Sequence, residues 1–225
     1  MSPETLEQKF THFSDLREAG QIEEAIAGYK SLLAEAEKTL FSEVPEMLAV
    51  TLRIQEKYQE ALPYAQKSVD WAIKANDNKH QEANCRRDLA GILADLDRTD
   101  AAQQELQKSL KILVQENEGG LNALGGTLSF MAKLAAKAKD FDQAHVLNQA
   151  AISLTYPINL ISPERAGQHY LFLLHEADIY YQESKSDQAL DFARQALAGF
   201  EKLGQTHRRE RAQKLIDQIQ NPPSK

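Results

Sequence analysis

The 225 residues carry 33 acidic and 26 basic side chains, for a net charge of −7, and 42% of them are hydrophobic. That balance describes a globular chain and argues against nonspecific nucleic-acid binding as the main role, because phosphate neutralisation needs a concentrated excess of Lys and Arg. The start, MSPETLEQKF, has no apolar core of signal-peptide length, and no later run approaches the ~20 apolar residues of a membrane helix. The expectation is a soluble cytoplasmic protein with no membrane and no nucleic-acid partner. A single Cys85 leaves no internal disulfide and reads as a small helix residue.

Four of the ten glycines and four of the seven prolines cluster near 119–126, 157–163 and 222–223, and the long stretches between them are rich in Ala, Leu, Glu, Gln and Lys. Such stretches favour helices throughout. In chain order, the first stripe is Ile22, Ala25, Ile26, Tyr29, Leu32 and Leu33, one face of a helix. The same arrangement returns in KYQEALPYA, TDAAQQELQ, DFDQAHVLN and SDQALDFAR, anchored on Ala61, Ala102, Ala144 and Ala189. Twelve residues before the five anchors stand Phe13, Ala49, Ala90, Ala132 and Ala177, and nine before stand Leu16, Leu52, Leu93, Ala135 and Tyr180. Eight after them stand Leu33, Val69, Leu110, Ile152 and Leu197. Short polar breaks (17–21, 55–57, 97–100, 138–140 and 183–187) divide each unit into two helices. Asp100, Asp140 and Asp187 fall near the start of the second, where a carboxylate can accept from free backbone N–H groups.

Successive anchors are 36, 41, 42 and 45 residues apart, so each unit is a rigid pair and the variation lies in the connections. A small residue on each of two antiparallel helices lets their backbones approach, which predicts that the anchor alanines mark the crossings. The units run over about 6–39, 42–75, 83–116, 125–158 and 170–203. A helix over 205–220 carries Ala212, Leu215, Ile216 and Ile219 on one face. Its Arg208, Arg209, Arg211 and Lys214 read as a solvated outer face, with a nucleic-acid or membrane patch as the alternative. ENEGGLNALGGT (116–127) reads as a flexible joint. TYPINLISPERAG (155–167) reads as a long loop carrying Ile158, Leu160 and Ile161, either tucked over adjoining helices or forming a contact site.

The pattern of Leu-Ala, an apolar residue, a polar turn, an aromatic, and an Ala twelve residues after the first resembles the tetratricopeptide repeat. It is clearest in 48–69, 89–110, 131–152 and 176–197, with Tyr58 and Phe141 as turn aromatics, and it covers roughly 6–204. The spacing is longer than the usual ~34 residues, nearer that of HEAT and armadillo repeats, and is taken as a longer-period variant. Phe13 in the first unit and Glu176 in the fifth depart from the pattern, and the third and fifth units lack the turn aromatic. The resemblance implies an all-α fold: a right-handed α-α superhelix of about five helix pairs with a C-terminal capping helix, a single repeat domain over 1–225. It implies stability from neighbour contacts and a concave face lined by the first helices.

No catalytic motif stands out. HYLFLLHEADIYY holds His169, His175, Glu176 and Asp178, but position 179 is Ile, so the His-Glu-x-x-His zinc helix is missing and neither a metal nor a cofactor is expected. There is no phosphate-cradling glycine loop and no Gly-x-Ser-x-Gly elbow. Carrying the family's groove positions over places Arg53, Arg87, Lys133 and Lys137 on the inner surface, with Glu46, Asp95 and Asp178 among them and Leu174 and Tyr181 toward the C-terminal end. The mixture suits an extended peptide, and equally a groove kept wet by mixed charge. The clamp of the chaperone-tail class is not matched, since its positions carry Phe10, Ser14, Met47, Asn84 and Asp88. Few residues precede the first repeat, so the helix-turn-helix of related bacterial regulators is not expected either. The expectation is a non-catalytic scaffold or adaptor that binds a protein or peptide of unknown identity through Arg53, Arg87, Lys133, Lys137, Asp178 and Tyr181. The alternative is a regulator that senses a peptide or partner and changes shape, with 119–126 as its hinge.

Overall fold

The structure, a computed structural model, describes residues 4–76, 78–115, 121–161 and 163–222. Eleven helices and no strand occur among the described residues. They form five pairs: α1 (Leu6–Glu18) with α2 (Ile22–Thr39), α3 (Glu43–Ile54) with α4 (Tyr58–Ala75), α5 (Lys79–Asp95) with α6 (Thr99–Gln115), α7 (Leu121–Lys137) with α8 (Phe141–Ile161), and α9 (Pro163–Gln182) with α10 (Ser186–Lys202). A last helix, α11 (Thr206–Gln220), follows. The chain divides into two compact units, Met1–Glu116 with α1 to α6 and Asn117–Lys225 with α7 to α11. Among the described residues no helix is long and apolar enough to cross a membrane.

Each pair is closed by the same turn. Gly20, Glu56, Asp97, Lys139 and Ser184, each five residues before its anchor alanine, all adopt left-handed backbone with φ between 57° and 82°. The next residue's N–H reaches back five residues to a carbonyl, as Gln21 to Leu16, Lys57 to Leu52 and Lys185 to Tyr180, at 2.9 to 3.0 Å. These are the two-bond Schellman closures that satisfy the orphan carbonyls of a helix end. They explain why the residue nine before the anchor keeps a fixed offset: it is the acceptor of the turn. Gly204 repeats the turn before α11, with Gln205 N–H on the Phe200 carbonyl at 3.0 Å.

The second helix then folds back with its anchor against the first. Ala25, Ala61, Ala102, Ala144 and Ala189 are all fully buried, as are Ala90, Ala132 and Ala177 opposite, so the crossings lie where the small residues predict. Phe13, the large residue in the first unit, is accommodated by Gly28, where an added Cβ would stand 2.2 Å from the ring. Tyr170 on α9 is seated on Gly199 of α10 in the same way, also at 2.2 Å. Phe13 further joins Phe10, Tyr29 and Phe41 in an aromatic cluster with centroids 5.3 to 6.2 Å apart, each pair worth about 0.5–1.5 kcal/mol beyond its burial. On α11 the stripe Ala212, Leu215, Ile216 and Ile219 is buried against α9 and α10.

Two connections differ from the sequence reading. The stretch 155–167 is helical up to Ile161 and again from Pro163, rather than a long loop. Pro163 opens α9, where its fixed φ suits a first helical position and its missing N–H costs no bond, so this proline starts a helix. The side chains of Ile158, Leu160 and Ile161 lie outside the described residues. Of the glycine-rich joint, residues 116–120 are likewise outside, while Gly125 and Gly126 belong to α7. Gly125 serves packing: an added Cβ would meet Phe172 at 3.0 Å and Thr155 at 3.3 Å.

Candidate functional site

The first helices of successive pairs lie side by side within each unit, α3 beside α5 and α7 beside α9, with α11 against α9. In the first unit this face is polar. Arg53 of α3 pairs with Asp95 of α5 through its Nε, both side chains about 30% exposed. Arg87 of α5 is half-buried and donates to Asn84 at 2.9 Å and to Asp88 at 3.3 Å. Beneath them Glu46 is buried and accepts from Gln81 Nε2 at 2.6 Å. Burial and the neighbouring Asp88 carboxylate hold the Glu46 carboxyl well above its ordinary range. The same amide lies 3.5 Å from the Cys85 sulfur, whose thiol is pushed up by burial and by Glu46, which makes it inert rather than nucleophilic.

In the second unit the sequence residues divide. Lys133 on α7 stands over the Phe130 ring, 5.7 Å from its centroid. Asp178 on α9 meets Arg211 of α11 at 3.5 Å. Burial raises the Asp178 carboxyl against the pull of Arg211 and Lys133. Lys137, at the end of α7, is exposed, and Tyr181 packs half-buried against the α9–α10–α11 core. The expected outer face of α11 is also divided. Arg209 borders Glu201, Glu210 and Asp217, whereas Arg208 is half-buried and Arg211 turns toward α9. A cleft of about 220 Å³ opens between α9 and α11, lined by Leu174, Asp178, Arg211, Lys214, Leu215 and Gln218.

A buried polar network behind this face escaped the sequence reading. Glu176 is fully buried and takes hydrogen bonds from Asn148 Nδ2 at 2.7 Å and Gln149 Nε2 at 3.0 Å, with His145 Nδ1 at 2.7 Å. His145 also reaches Glu183 at 3.1 Å, and Asn148 donates to the Phe172 carbonyl at 2.9 Å. Asn148 Oδ1 accepts from Ser129, which sits 2.7 Å from His175 Nδ1. Ser129 has one proton and uses it on Asn148, so His175 donates from Nδ1 and its Nε2 bears the lone pair. That nitrogen is buried and has no hydrogen-bond partner among the described residues. Burial, then Lys133, Arg211 and Arg208, keep the ring's pKa well below the ordinary histidine value. A serine 2.7 Å from a histidine suggests a nucleophile and its base, yet Ser129 is 1% exposed and its proton points elsewhere, so the pair is structural. The signal was present in the repeat frame: Glu176 stands where other units carry Leu48, Leu89 and Met131, and Asn148 where they carry Tyr29, Ala65, Leu106 and Ala193.

Residues 42–115 match the family model described as tetratricopeptide repeat. No curated protein matches the sequence. Among solved structures, a Rap protein complexed with competence and sporulation factor is similar at a TM-score of 0.79 and 14% identity, covering 97% of this chain and 60% of that one. Aspartyl phosphate phosphatase F from Bacillus subtilis is similar at 0.66 and 16% identity, covering 92% of this chain and 55% of its own. A Podosopora anserina putative kinesin light chain with nearly identical tetratricopeptide-like repeats gives 0.61 and 16% identity, covering 89% and 96%. The chain thus spans less than two thirds of the first two proteins. At these identities the likeness is one of fold, the all-helical repeat solenoid expected from the sequence.

Proposed function

We propose that this chain, a tetratricopeptide-repeat protein by its repeats at 42–115 and by its fold, is a non-catalytic scaffold or adaptor that binds a protein or peptide. The binding surface is the first-helix face of each unit, α3 and α5 in one and α7, α9 and α11 in the other. The observation that carries this reading is two partly exposed ion pairs between adjacent helices of these faces, Arg53 of α3 with Asp95 of α5 and Asp178 of α9 with Arg211 of α11. Such pairs hold little free energy of their own, so a partner's charges can replace one member and leave the other satisfied. The buried state of Ser129 on α7 and Cys85 on α5 supports binding over chemistry at these two side chains.

The test is affinity capture on wild type and on a variant with Arg53, Arg87, Lys133 and Lys137 changed to Ala, with folding checked by circular dichroism. A protein held by wild type, lost by the folded variant, and reproduced with purified components supports the face. Equal retention by both overturns it. A second reading, a regulator that senses a partner and changes shape, is favoured by the likeness to the Rap protein complexed with competence and sporulation factor. Its signature is a ligand-dependent change in the radius of gyration by small-angle scattering.

A further inference from the structure

We infer that His145 carries a proton on both ring nitrogens and is a pH-sensitive latch: charged, it ties the fourth helix pair to the fifth and to the turn after α9, and on losing a proton it lets that turn go. The inference is independent of which face takes a partner.

The reason is a count of protons. His145 of α8 has its Nδ1 2.7 Å from Glu176 Oε1 and its Nε2 3.1 Å from Glu183 Oε2. A neutral imidazole has one N–H to donate, so its second nitrogen would turn a lone pair toward a carboxylate. Both contacts are favourable only when the bridge holds one proton more than a neutral ring and two carboxylates supply. Glu176 is set up to accept: its Oε2 takes the Asn148 amide at 2.7 Å and its Oε1 the Gln149 amide at 3.0 Å. The Asn148 amide is fixed in that orientation, because the same nitrogen donates to the Phe172 carbonyl, which can only accept. At the other end Lys185 and then His145 hold the Glu183 carboxyl below its ordinary range. The extra proton therefore belongs to the ring.

The surroundings favour a charged ring. Glu176 is fully buried, and a buried carboxylate needs a counter-charge. Tyr180 lies with its ring 4.2 Å from the imidazole, centroid to centroid, within the range at which a cation is drawn to an aromatic face. The groups facing His145 are thus Glu176 and Tyr180 of α9 and Glu183 of the turn, with Lys185 paired to Glu183 and 5.9 Å from the Tyr180 centroid. Asp142, earlier on α8, acts on Lys185. From α7, Ser129 enters by donating to Asn148, and Lys133 acts on His175 and Asp178.

The two carboxylates are unequal, and that makes the bridge a latch. Glu176 is held by two amides, whereas Glu183 is partly exposed and has Lys185 as a second partner. A ring that loses a proton keeps its Nδ1–H for the buried Glu176, and Glu183 turns from the Nε2 lone pair to Lys185. The turn 183–185 is then released from α8. A folded ring that holds a proton the unfolded chain gives up makes stability fall as pH rises through the histidine range, about pH 5 to 8.

The ring is read in the full chain, labelled with nitrogen-15, by long-range proton–nitrogen correlation, with His145 assigned as the signal lost in His145→Gln. Near neutral pH both its nitrogens should show the shift of a protonated nitrogen. In Glu183→Gln, whose amide can donate to Nε2, the ring should carry one proton, on Nδ1. As wild type is taken from about pH 6 to about pH 9, the backbone amide signals of 183–185 should move toward their positions in Glu183→Gln. The gap in urea midpoint between wild type and His145→Gln should shrink by at least about half over the same range. Comparing the two proteins at each pH cancels the other titrating groups, including His169 and His175, whose rings burial holds below the ordinary value. The His145 and Glu183 side chains are 19% and 21% exposed, so the circular dichroism of both variants should match wild type. A wild-type ring with a single proton near neutral pH, on either nitrogen, overturns the inference. A doubly protonated ring with unmoved 183–185 signals and a gap that does not change with pH overturns the latch.

Discussion

Adding one methyl group at Gly28 tests the packing of the first helix pair. The new Cβ would lie 2.2 Å from Cδ1 and 2.4 Å from Cγ of Phe13, where ordinary contact begins at 3.4 Å, so the ring must retreat by roughly 1.2 Å. It has little room to do so, because it stands edge-on to the fully buried Tyr29, at 6.2 Å between centroids. Overpacking costs about 1–3 kcal/mol, and a clash with the root of a ring belongs at the upper end. Against it stands the helix propensity gained on replacing Gly by Ala, about 1 kcal/mol. The net expectation for Gly28→Ala is a loss of about 2 kcal/mol, read from urea unfolding followed by circular dichroism. In a Phe13→Ala background the clash is gone and the same change should gain about 1 kcal/mol, so the cycle reports the coupling directly. Gly125→Ala, whose Cβ would meet Phe172 at 3.0 Å, needs only a few tenths of an ångström of give and should come out near neutral. A Gly28→Ala protein as stable as wild type, or an equal cost in both backgrounds, would refute the argument.

The repeated turn makes a second prediction. Lys139→Gly relieves a left-handed conformation at φ 62° and should stabilise by about 0.5–1 kcal/mol, while Gly20→Ala, with nothing within 4 Å of its Cβ, should lose about 1 kcal/mol to backbone strain alone. Glu46 predicts a pH dependence. Its folded carboxyl holds its proton above the ordinary value of 4.5, so the stabilisation is complete below about that pH and is lost as pH rises toward the folded value. Glu46→Gln should therefore gain on wild type as pH is raised from about 4 toward 8, and parallel unfolding curves at all pH values would contradict this. Glu176→Leu should cost about 3–5 kcal/mol by stranding the Asn148 amide, and adding Asn148→Leu should recover part of that loss in thermal melts.

The helix pairs were legible because their constraints are local. A backbone crossing needs a small residue wherever it occurs, and a Schellman turn fixes the offset to its acceptor, so Ala102 and Leu93 announce themselves without any knowledge of the neighbours. Pro163 misled because a proline reads alike as the end of one helix and the start of the next. The site was less legible, since its bonds join different pairs. Arg53 and Asp178 could be placed on the first helices of their pairs, but that Asp178 would meet Arg211 depends on how α11 lies against α9, which the repeat frame does not specify. Glu176 stood out as a departure, yet its meaning required the matching departure at Asn148 in the preceding pair.

That match bears on whether the pairs are interchangeable cassettes. Transplanting α3 and α4 into the place of α9 and α10 would set Leu48 where Glu176 stands, and Asn148 would then present its amide to a hydrocarbon wall. The alanine crossings and turns would fit any slot, whereas the Asn148–Glu176 bond fits one. It works as an address that favours the fifth pair after the fourth over a pair carrying Leu48, Leu89 or Met131 at that position.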